Sequence, residues 1–186
     1  MTGAAASPPS VLVLPGYGDS GPLHWQSLWE AADPRLRRVQ QRDWLEPRLD
    51  DWLAALDREI AACTAAPVLV AHSLGCALVA HWVKRNGGLA ARGALLVAPP
   101  DVAALAAVLD AVQSFVPVPL VRLPFPSIVV ASDDDVYVSA ERAQAFARAW
   151  GSRFVAMTGA GHINADSGFG EWPDGLALLA ELMQGG

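Results

Sequence analysis

Along the chain, brief apolar runs alternate with longer stretches in which apolar positions recur every third or fourth residue. The brief runs fall at Ser10–Leu14, Arg38–Arg42, Val68–Ala71, Ala94–Ala98, Ile128–Ala131 and Arg153–Met157, and each predicts a strand. Most of them are apolar at successive positions, so both strand faces must be covered, as in a parallel sheet flanked by helices. Between them, Leu49, Trp52, Leu53, Leu56 and Ile60 mark one face of a helix, and Leu74, Leu78, Val79, Trp82 and Val83 mark another that Gly87 and Gly88 stop. Leu176, Leu179, Leu182 and Met183 predict a terminal helix. These stripes are core faces. The fold class is therefore α/β, with six mainly parallel strands and helices on both faces of the sheet.

One segment breaks the pattern. Val116–Pro126 carries four prolines, which remove backbone donors and disfavour both helix and central strand, so it predicts an ordered loop. With the helix expected to begin near Asp101, the stretch from Asp101 to Pro126 is the place for a minimal cap over a site at the strand ends.

At 186 residues the chain reads as a single domain, 1–186, with residues 1–9 expected to form a flexible tail. Apolar residues make up 53% and charged residues 17%, which excludes a disordered chain. The net charge is −6 and no Lys or Arg precedes Arg35, so there is no basic stripe for phosphates. No nucleic acid and no membrane is expected as a partner. The first residues lack the charged flank and long apolar core of a signal peptide, and no apolar run approaches a membrane span. A soluble, cytoplasmic protein is expected. Cys63 and Cys76, both expected inside helices, suggest neither a disulfide nor a metal site, in keeping with a reducing compartment.

The chemistry gathers at the ends of the predicted strands. Pro67-Val68-Leu69-Val70-Ala71-His72-Ser73-Leu74-Gly75 runs a buried strand straight into a serine and then into an amphipathic helix. A sharp turn there would lift Ser73 out of the sheet as a nucleophile, with the Leu74 amide at the positive helix end facing a developing oxyanion. The same residues also fit a serine that merely caps a helix. A nucleophilic serine needs a base and the base an orienting acid. Asp133, Asp134 and Asp135 follow one later strand, and His162 follows the next within Gly159-Ala160-Gly161-His162. On these residues alone the acid is any of the three aspartates.

Pro15-Gly16-Tyr17-Gly18 follows the first strand. Where the sheet order switches direction, this loop lies beside Ser73 and the Tyr17 amide completes an oxyanion hole. Gly16, His24 and Trp25 are candidate pocket residues, although aromatics at a helix start commonly serve packing. Gly16, Gly18 and Gly21 also spell the G-x-G-x-x-G of dinucleotide sites, with Asp43 beyond the next strand as the ribose partner. That oxidoreductase reading leaves Ser73, Asp135 and His162 unexplained and ranks below. His72 reads as a buried, hydrogen-bonded neighbour, and His81 has no partner in the sequence.

Taken together, Leu14-Pro15-Gly16-Tyr17-Gly18 with His24-Trp25, Pro47–Trp52, Ala71–Gly75, Leu123–Asp135 and Gly161–Pro173 resemble the RBBP9/YdeN-type small serine hydrolases. The resemblance runs from Val11 to Leu182. It implies a compact α/β-hydrolase with a minimal cap, with Ser73 as nucleophile, Asp135 as acid and His162 as base. Val136 departs from the proline common after that acid. The resemblance implies serine hydrolase chemistry and names no biological substrate; with the residues above it gives the expectation of a small ester or amide substrate, an acyl-enzyme and no cofactor. An alternative keeps the fold without useful turnover and binds a protein partner through Pro117–Phe125.

Overall fold

The strands Val11–Leu14 (β1), Leu36–Arg38 (β2), Val68–His72 (β3), Gly93–Val97 (β4), Ser127–Ser132 (β5) and Arg153–Met157 (β6) pair in parallel. Their order across the sheet is β2-β1-β3-β4-β5-β6. The computed structural model describes residues 11–184, so the expected tail over 1–9 and Ser10 lie outside the described residues. Among the described residues, six α-helices connect and cover the strands: Trp25–Ala32 (α1), Leu49–Ala61 (α2), Leu74–Asn86 (α3), Val102–Ala106 (α4), Ala140–Trp150 (α5) and Pro173–Gln184 (α6). The architecture is that of an α/β-hydrolase.

Alternation along the strands builds a core on each side of the sheet. Leu69 and Ala71 of β3 face α2, α3 and α5, where Trp52, Leu56, Trp82, Phe146 and Trp150 are buried. Val68 and Val70 face α1 and α6, where Trp25, Trp29, Leu179 and Leu182 close the other layer. Both faces of the central strands are dry, which is why these strands read as continuous apolar runs.

Two expectations are corrected. The second strand lies at Leu36–Arg38, not Arg38–Arg42. It is an edge strand in which only Leu36 is buried, so its short Leu-Arg-Arg pattern carries almost no apolar signal. Cys63 lies beyond the end of α2 rather than within a helix, because the apolar stripe stops at Ile60 and the chain must turn toward β3. Cys76 is in α3, and both thiols are free.

The segment after β4 supplies the cap. Asp101 precedes the single-turn helix α4, a 3₁₀ helix follows at Asp110–Phe115, and the proline-rich stretch runs as irregular chain to β5. That stretch is tied down by Trp150, whose Nε1–H donates to the Pro119 carbonyl at 2.9 Å and whose own carbonyl accepts the Leu123 amide. Among the described residues, no helix is long and apolar enough to cross a membrane.

Candidate active site

The turn between β3 and α3 is strained where the chemistry is expected. Ser73 has φ 54° and ψ −125°, a conformation that costs a non-glycine residue about 1–3 kcal/mol. It is held there by its amide, which donates to the Val97 carbonyl at 2.9 Å, and by its carbonyl, which accepts the Cys76 amide. The Ser73 hydroxyl makes no cap bond to the helix. Its Oγ lies 3.0 Å from Nε2 of His162 instead. Close approach explains the small residue beyond the elbow. A Cβ on Gly75 would collide with the Leu14 carbonyl oxygen, so α3 can only begin here if that position is glycine.

The three consecutive aspartates after β5 separate by geometry. Asp135 turns inward: its side chain is fully buried, Oδ2 lies 2.8 Å from Nδ1 of His162, and Oδ1 accepts the Tyr137 amide. Asp133 and Asp134 are exposed and hold the backbone of the loop that carries His162. Asp133 accepts the Gly159 amide at 2.9 Å and Asp134 the Gly161 amide at 2.7 Å. Ser132, at the end of β5, accepts the Ala160 amide and donates to Asp134. The Ser132 hydroxyl and then the Gly161 amide hold the Asp134 carboxyl below its usual range.

His162 is also fixed by its surroundings. Its amide donates to Ser167 Oγ, and its ring sits between the rings of Tyr137 and His72, at centroid distances of 4.6 and 4.8 Å. Nδ1 facing the Asp135 carboxylate places the ring proton on that nitrogen, which leaves a lone pair on Nε2 directed at the Ser73 hydroxyl.

The loop after β1 abuts the elbow. A Cβ on Gly16 would lie 2.7 Å from the Ser73 Cβ and 3.1 Å from the Leu74 nitrogen. Among the described residues, neither the Leu74 nor the Tyr17 amide donates a hydrogen bond. Gly16, Tyr17, His24, Ser73, Tyr137 and His162 line one cavity of about 280 Å³. Leu105 and Leu109 from the cap, with Asp19, His72 and Asn164, complete its wall. Trp25, named from the sequence as a pocket candidate, is not on that wall: it is fully buried behind it, with Nε1–H on the Ile163 carbonyl. His24 does line the cavity and also caps α1, accepting the Gln26 amide on Nδ1. Burial, ahead of the charges of Arg38 and His162, lowers its pKa to about 4.

Tyr137, Asn164, Leu105 and Leu109 were not singled out from the sequence. Tyr137 stands two residues past Asp135, but nothing local distinguishes it from other exposed aromatics. The glycine-loop alternative fares differently. Asp19 pairs with Arg38, and Asp43, proposed for a ribose, accepts the Leu45 and Glu46 amides of its own turn. Among the described residues, no three His, Cys, Asp or Glu side chains group to hold a metal ion.

Comparison with known proteins agrees with this architecture. A family model described as serine hydrolase matches residues 11–181. A protein described as a YdeN-like hydrolase, from Pectobacterium atrosepticum, is 37% identical, with 94% of this chain and 90% of that one covered at a TM-score of 0.83. The ydeN gene product of B. subtilis superposes at 0.72 with 22% identity, covering 94% of this chain and 98% of that one. The esterase RhEst1 from Rhodococcus sp. superposes at 0.67 with 17% identity, covering 96% and 91%. The last two are similar in fold. Among curated proteins no match was found.

Proposed function

Since the chain belongs to the serine hydrolase family, together with YdeN-like proteins, we propose that it cleaves a small ester, or an amide, through an acyl-enzyme on Ser73. The observation that carries this reading is the unbroken run of hydrogen bonds from Ser73 Oγ to His162 to Asp135, at 3.0 and 2.8 Å. In this mechanism Ser73 Oγ attacks the substrate carbonyl while its proton passes to Nε2 of His162. The buried Asp135 carboxylate keeps the other ring proton on Nδ1 and stabilises the imidazolium that forms. The free amides of Leu74 and Tyr17 receive the negative charge on the carbonyl oxygen. His162 then gives its proton to the leaving group, and the alcohol or amine departs. Water attacks the acyl-enzyme with His162 again taking a proton, and the acid product leaves as Ser73 regains its own.

The cavity supports a small substrate, because about 280 Å³ is at the lower end of small-molecule sites. The test is intact-mass detection of labelling by a fluorophosphonate, alongside hydrolysis of a p-nitrophenyl ester. One adduct on the wild type, absent in folded Ser73→Ala together with turnover, is the expected result. A folded wild type that takes no adduct overturns the proposal and favours a protein that binds a partner without turnover.

A further inference from the structure

His72 is drawn into the site by a bond the reaction scheme above does not use. It immediately precedes Ser73, is 5% exposed, and its Nε2 lies 2.9 Å from the main-chain oxygen of His162. A carbonyl only accepts, so Nε2 carries the proton and His72 is the donor. Burial, ahead of the nearby His162 and His24 charges, keeps the ring neutral by pushing its pKa well below the ordinary histidine value.

The carbonyl it holds belongs to a turn that needs holding. Gly161 has φ 54° and Ile163 has φ 48°, so His162 sits between two left-handed residues, and for a β-branched side chain that conformation is a genuine outlier. Two side-chain donors from elsewhere in the fold grip consecutive carbonyls of this turn. His72 takes that of His162, and Trp25 takes that of Ile163 at 2.8 Å. His24 packs edge-to-face on His72 from behind, at 4.7 Å, and the His72 ring in turn meets the His162 ring at 4.8 Å. The nucleophile's neighbour thus fastens the base's backbone, which ties the two ends of the Ser73–His162 bond to one short piece of β3.

We infer that His72 is a positioning residue for His162, acting through its Nε2–H on the His162 carbonyl to hold the imidazole at the distance and angle that Ser73 requires. The inference rests on the serine hydrolase reading of this same site. A misplacement of about 1 Å at a reacting pair costs on the order of 100-fold, so loss of this bond should appear in turnover rather than in substrate binding.

The experiment compares wild type, His72→Phe, which keeps a ring but no donor, and His72→Gln, whose amide nitrogen can reach the same carbonyl. It measures kcat and KM for a p-nitrophenyl ester and the rate of fluorophosphonate labelling, with folding checked by circular dichroism. His72→Phe should lower kcat and the labelling rate by about 10- to 100-fold with little change in KM. His72→Gln should return both to within about fivefold of wild type. Equal rates in His72→Phe and wild type overturn the inference, and so does a folded His72→Gln that is as slow as His72→Phe. Nitrogen-15 NMR of the histidines of the wild type tests the same bond without a variant: His72 should be neutral and protonated on Nε2 at pH 7, and protonation on Nδ1 would overturn it. A wild type that takes no label at all would instead remove the hydrolase reading, so the two failures are distinct.

Discussion

The Asp134 carboxylate accepts the Gly161 amide at 2.7 Å, next to His162, while its neighbour Asp135 faces the His162 imidazole directly. Adjacent carboxylates of identical chemistry therefore have different tasks, one on a backbone and one on a ring. Asp135→Asn is expected to lower kcat by about 10⁴-fold, because the wrong tautomer of His162 is then favoured. Asp134→Ala should lower it by only about tenfold, through a loosened turn. Steady-state kinetics on the two variants and on Asp133→Ala give the ranking. Equal losses in Asp134→Ala and Asp135→Asn would contradict this division of labour.

Stability should fall as pH drops below neutrality, and the sign follows from His24. Its pKa is lowered from 6.5 to about 4, so the folded protein binds fewer protons than the unfolded chain between those values. The stabilisation is fully present above about pH 6.5 and is lost as pH falls toward about 4, with a total of about 3 kcal/mol. His72 and His81 are shifted in the same direction, chiefly by burial. Urea unfolding at pH 7.5, 6.0 and 5.0 should show a steady loss. His24→Asn, which keeps an acceptor for the Gln26 amide, should flatten that slope in part. An unchanged slope in the variant would refute the assignment to His24.

Substrate length is expected to depend on the cap. Leu105 and Leu109 are the aliphatic side chains on the wall of the cavity that holds Ser73. Trimming either to alanine removes three carbons from that wall and enlarges the cavity, and a methylene fitted into an apolar pocket is worth roughly 10- to 200-fold in discrimination. In Leu105→Ala or Leu109→Ala, kcat/KM for p-nitrophenyl octanoate should rise about tenfold relative to the acetate. A chain-length profile that matches the wild type in both variants would remove these leucines from the acyl-binding wall.

Much of this arrangement was legible because it is local in sequence. The elbow is a buried strand, a serine and an amphipathic helix in immediate succession, and the acid and base candidates follow later strands in chain order. Other parts were illegible for physical reasons. The three aspartates look alike until burial separates them, with only Asp135 turned inward. The edge strand Leu36–Arg38 needs one buried side chain and so leaves little pattern. Leu105 and Leu109 share their apolar character with core residues, and only packing reveals that they face a cavity. Trp25, which looked like a pocket residue, is spent instead on the carbonyl of Ile163.

The sheet order has a consequence for biosynthesis. Ser73 follows the central strand β3, whereas His162 lies 89 residues later, beyond β6 at the far edge of the sheet. Its turn is fastened by Trp25 and His72 from the first half of the chain. In the proposed mechanism, a ribosome-bound chain that has not yet released β6 would hold Ser73 without its base and would not cleave esters. On that mechanism, esterase activity during refolding should appear only once β6 has docked, later than burial of the core tryptophans followed by fluorescence.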